Sequence, residues 1–129
     1  MEEIKAGDIM LNNWFHVNGY PMYVDSIFRD TVYLEFEGNE GDVWEENIKD
    51  LKPIQLTEDI LVKAGFEELY KSKYTRKLEH KVYFFIEWIE RPYQKCIYYN
   101  NHPFEHIKYL HQLQNLFKSL TGNDLKIEV

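Results

Sequence analysis

The chain has 129 residues, room for one domain or two very small ones, and 44% of them are hydrophobic and 16% aromatic. Its net charge of −7 and isoelectric point near 5.2 have the wrong sign for a protein that works by neutralising phosphates, so nucleic acid and anionic membranes are both disfavoured partners. Its apolar content argues against disorder, no apolar run approaches membrane-spanning length, and Cys96 as the one cysteine excludes an intramolecular disulfide. The acidic opening Met1-Glu2-Glu3, with no apolar stretch after it, reads as no secretory signal. Together with the lone cysteine it predicts a reducing, cytoplasmic setting.

From Ile4 to Ile54 the chain reads as short strands joined by tight turns. Gly7-Asp8 leads into Ile9-Met10-Leu11, and Asn12-Asn13 into Trp14-Phe15-His16-Val17. Asn18-Gly19 is a strong hairpin signal, because a type I′ turn needs positive φ at both central positions. Tyr20 to Phe28 follows, then an Arg29-Asp30 turn. Thr31 to Glu37 alternates, with Val32, Leu34 and Phe36 on one face. Asp42 to Ile48 is a further short strand, and the run closes at Lys52-Pro53-Ile54. Such spacing predicts a small SH3-like barrel or a plain antiparallel meander, a shape that by itself implies no activity.

Thr57 is a good N-cap, with Glu58 and Asp59 in the first turn of a short helix that Gly65 ends. Phe66 to Tyr99 then reads as a meander. Lys81 to Glu90 is its strongest strand, and both faces are largely apolar, which predicts a central position. Asn100 to Pro103 reads as a loop, and Leu125 to Val129 alternates like a terminal strand. The expected class is α+β: an N-terminal β part (residues 1–54), then a helix, meander and helix (55–129), in one continuous unit or two.

The clearest helix lies near the C-terminal end, within Lys108 to Gly122. Tyr109, Leu113, Leu116, Phe117 and Leu120 fall on an arc roughly 120° wide, with Leu110 at its edge. Gly122 sits where a C′ residue takes positive φ. The opposite side carries His111, Gln112, Asn115 and Lys118, and reads as a solvated outer face or as a partner-facing strip.

Two stretches, LTEDILVKAGF from Leu56 and YLHQLQNLFKSLTGNDLKI from Tyr109, are similar to a family of short uncharacterised proteins of Bacteroides type, found often near prophages and mobile elements. The Pro53-Ile54-Gln55-Leu56-Thr57 junction also fits that family; Tyr70 to His106 fits it least. The resemblance implies a bacterial cytoplasmic origin and a mobile-element context. It transfers no active site, cofactor or ligand set.

Catalytic and metal signatures are missing from the sequence. His102, Glu105, His106 and His111 are close in sequence but lack the H-E-x-x-H spacing, and no cysteine cluster joins them. Glu87 interrupts an apolar strand, where a buried carboxylate could act as an acid. The basic stretch Lys71, Lys73, Arg76, Lys77 and Lys81 is interleaved with Glu67, Glu68 and Glu79. The leading expectation is a binding or accessory module without cofactor, acting on a protein partner and compatible with a homodimer. Its surface would draw on the helix strip and on exposed members of Trp14, Tyr20, Tyr23, Tyr33 and Trp44. The alternatives are a small enzyme using Glu87, His106 or His111 between the halves, and nucleic-acid binding by the barrel.

Overall fold

Turn chemistry sets the first half. In the computed structural model, which describes residues 4–38, 41–81 and 84–128, Asn18 and Gly19 take φ of 50° and 83°. They join β1 (Trp14–Val17) to β2 (Tyr20–Phe28). Arg29, also at positive φ, turns the chain into β3 (Thr31–Glu35), which pairs with β4 (Trp44–Asn47). A register shift between Val24 and Ser26 marks a bulge in β2. Bulges increase local twist, and here one falls in the longest strand of the sheet. A 3-10 turn (Ile48–Asp50) precedes β5 (Lys52–Pro53), which returns to pair with β1. The resulting sheet is ordered β4-β3-β2-β1-β5, with no β4–β5 pairing to close it among the described residues.

The second half forms a separate antiparallel sheet. Thr57 caps α1 (Glu58–Lys63) by accepting from the Ile60 N–H, and Gly65 ends the helix region at φ 92°. Then come β6 (Glu67–Lys71), β7 (Thr75–His80), β8 (Phe84–Arg91), β9 (Gln94–Tyr99) and β10 (His102–Phe104), in the order β10-β9-β8-β7-β6. β8 is central, as its two apolar faces require; the expected start of this strand at Val82-Tyr83 lies outside the described residues. Asn100 and Asn101, at φ 50° and 64°, form a hairpin turn where a loop is expected, and residues 102–104 return as a strand. α2 (Leu110–Thr121) ends at Gly122 in the left-handed region.

The broad expectation of an α+β protein of antiparallel strands with a C-terminal helix therefore holds. Two local expectations do not. Ile9-Met10-Leu11 and Leu125 to Glu128 join no ladder. Ile9, Leu125 and Ile127 are nonetheless buried, so their alternation records burial, not strand pairing.

Buried residues form two clusters. One fills the N-terminal sheet, around Phe15, Met22, Val24, Val32 and Leu34. The other lies between α1, α2 and the C-terminal sheet, around Leu61, Leu78, Ile86, Trp88, Leu110, Leu113 and Phe117, and it includes Trp14 from β1. α2 stands between the two. Its buried residues are Leu110, His111, Leu113, Gln114 and Phe117, an arc about 160° wide at 100° per residue. Leu120 of the expected apolar arc is half exposed. The buried side is thus wider than expected and rotated toward His111 and Gln114, because a second sheet packs there.

Candidate functional site

The polar side of α2 is a clasp. Gln114, 4% exposed, accepts from the Trp14 N–H at 2.9 Å and donates to the carbonyls of Asn12 and Leu125, each at 3.0 Å. One amide thus ties the helix, the strand β1 and the C-terminal segment together. A buried primary amide must find such partners, since leaving them unmade costs about 1–3 kcal/mol per group. Asn115 accepts from the Asn13 side chain and donates to the Asp8 carbonyl, both at 2.9 Å. Lys118 pairs with Asp124 at 3.5 Å, and Asn12 donates to the same carboxylate. Gln112 serves the helix itself, its side-chain oxygen accepting from the N–H groups of Lys108 and Tyr109.

His111 is 3% exposed and packs against the Phe15 ring at 4.8 Å. Burial lowers its pKa to about 4, opposed weakly by Asp8, so it is neutral at pH 7. His111, Gln112, Asn115 and Lys118 do share one side of the helix. His111, Asn115 and Lys118 meet residues 8–15 and Asp124 of the same chain, while Gln112 folds back on the start of the helix, so the expected outer strip is a contact within the molecule. Trp14 is buried with it and stacks obliquely on Tyr23 at 5.4 Å.

Tyr20 is different. It is 61% exposed and meets the Phe36 ring edge-on at 6.0 Å. Trp44, 46% exposed, stands across from Leu34 in the β3–β4 register. Tyr20 and Phe36 thus meet beside the N-terminal core, and Trp44 is exposed on the same sheet. Glu45 and Glu46 flank Trp44, and its indole N–H donates to Glu46 at 3.3 Å. The surrounding charge is one-sided. Residues 1–54 hold twelve acidic and four basic residues, a net of −8, while residues 55–129 hold ten acidic and eleven basic, a net of +1.

The residues of the other two readings do not converge. Glu87 sits on the outer face of the C-terminal sheet, in a cavity of about 270 Å³ with Lys77, Phe85 and Tyr98. His106 is exposed beside Phe104, and His111 is packed on the N-terminal sheet. Among the described residues no group of three or more His, Cys, Asp and Glu could hold a metal ion. In the basic hairpin Arg76 pairs with Glu58 at 3.2 Å and Glu68 at 3.7 Å, and the ammonium groups of Lys73 and Lys77 lie over tyrosine rings.

Fold and surface together define a two-sheet α+β protein whose halves are clasped through one helix and whose N-terminal sheet presents aromatic side chains in an acidic field. No helix among the described residues is long and apolar enough to cross a membrane. No family model, curated protein or solved structure matches the chain.

Proposed function

We propose that this chain is a non-enzymatic binding module that docks a basic protein partner on its N-terminal sheet. The observation that carries this reading is the coincidence of exposed Tyr20 and Trp44 with the half of the chain that bears the whole net negative charge. Aromatic anchors supply most of the energy of protein contacts, and complementary charge speeds encounter and selects the partner. An SH3-like arrangement of this half is supported by the strand order β4-β3-β2-β1-β5 and by the 3-10 turn before β5. The resemblance noted above supports a bacterial cytoplasmic setting near mobile elements. Homodimerisation is compatible with the edge strand β6, which is exposed along its length.

The test is affinity capture from a bacterial lysate with the tagged chain, compared with the Tyr20→Ala, Trp44→Ala double variant. A basic partner held by the native chain, released by added salt and lost from the folded double variant, is the expected result. A partner insensitive to both changes, or none at all, removes the reading.

A further inference from the structure

We propose that the free edge of β4 takes up an extended, cationic segment of the partner protein as an added strand. This rests on the binding-module reading above and names how the partner is held. In the order β4-β3-β2-β1-β5, β4 has a neighbour on one side only among the described residues. The Ile48 N–H donates to the Asp30 carbonyl at 2.8 Å, in the register that sets Glu46 against Val32 and Trp44 against Leu34. Successive residues of an antiparallel strand turn their backbone groups to opposite sides. Trp44 and Glu46 therefore bond to β3, while Glu45 and Asn47 turn their N–H groups outward. Neither of these two N–H groups meets an acceptor among the described residues. Such an edge is a template for a further strand.

Charge selects the occupant. Trp44 and Glu46 stand across from the buried Leu34 and Val32, so they share the core side of the edge, and the indole N–H donates to the Glu46 carboxylate. Glu45 lies on the other face, where it accepts from the Tyr33 hydroxyl at 3.5 Å. Neither carboxylate enters an ion pair among the described residues. A strand laid beside β4 thus sets one side chain beside Trp44 and two beside carboxylates, one on each face. All pairing in this sheet is antiparallel. In that sense the added strand reads Lys or Arg, Lys or Arg, then an apolar residue. A second copy of this half, itself at net −8, is repelled from the same edge. The other sheet edges are less open: β5 has 2 residues, β10 carries Pro103, and β6 is bulged between Glu68 and Tyr70.

The probes are an end-blocked peptide, Thr-Val-Lys-Lys-Val-Thr, and its twin methylated on the backbone nitrogen of the second lysine, the one set against Glu45. Each is titrated into the folded, 15N-labelled chain. Saturable shifts and slowed hydrogen exchange at the Glu45 and Asn47 amides are expected with the plain peptide. The twin keeps every side chain but loses a backbone donor, and should bind about tenfold more weakly. Glu45→Gln removes the charge alone and should weaken binding about threefold. Glu45→Pro also removes the outward N–H while sparing the β3 ladder, and should abolish binding. Equal affinity for the two peptides, or Glu45→Pro binding like Glu45→Gln, overturns strand addition and leaves a partner held by charge and aromatics. No shift with either peptide overturns it as well, and the module reading then stands or falls on the lysate capture. The methylated twin makes the test on the unaltered chain, whatever the proline does to folding.

Discussion

Gln114→Leu removes the clasp while nearly keeping side-chain volume. The substitution leaves the Trp14 N–H and the Leu125 carbonyl, both buried, without partners; the Asn12 carbonyl is partly buried and regains water. Two orphaned groups at about 1–2 kcal/mol each, plus a smaller share for Asn12, give an expected loss of about 3 kcal/mol. That is a large part of the 5–15 kcal/mol by which domains are stable. Urea unfolding followed by far-ultraviolet circular dichroism and tryptophan fluorescence measures it. With a slope of about 2 kcal/mol per molar, the midpoint should fall by about 1.5 M at unchanged slope. Asn115→Ala is the internal comparison. Its hydrogen bonds, to Asn13 and Asp8, are only part-buried or exposed, so about 1 kcal/mol is expected. A loss below about 1 kcal/mol for Gln114→Leu would refute the idea that this amide joins the halves.

His111 sets an acid dependence. Its folded pKa of about 4 lies below the ordinary 6.5, so between these values the unfolded chain holds more protons. Its contribution is fully present above about pH 6.5 and falls by about 3 kcal/mol as pH drops to 4; His111→Phe should flatten that slope in urea midpoints measured across the window. Gly122→Ala forces a Cβ into φ 77° and should cost about 1 kcal/mol in the same assay, with no change in slope. Cys96 is a buried free thiol whose pKa is raised by burial and by the nearby Glu105 charge. It should react with a thiol reagent only as the chain unfolds, and full labelling of the native protein would contradict this placement.

Local chemistry made much of the fold legible. Asn18-Gly19 turns the chain because both residues adopt positive φ at low cost, and Thr57 and Gly122 mark helix ends for equally local reasons. β8 is central, with β7 and β9 on either side, as its apolar run predicts, although Phe85 on its outer face stays half exposed. The Asn100-Asn101 turn was less legible: Pro103 beside it argues against a strand unless that strand is an edge, which β10 is.

The site was legible only in part. Tyr20 and Trp44 are recognisable as aromatics, but the amino-acid order does not say which aromatics stay outside. Trp14 and Tyr20 look alike in the chain, yet Trp14 is walled in by α2 and the C-terminal segment while Tyr20 is not. The amino-acid sequence by itself determined where most of the strands and both helices form, because turns, caps and periodicity act over a few residues. Only the tertiary structure decided that the polar side of α2 is an interior seam. A glutamine or histidine on a helix reads as solvated until a second sheet, a hundred residues away in the chain, arrives to satisfy or bury it.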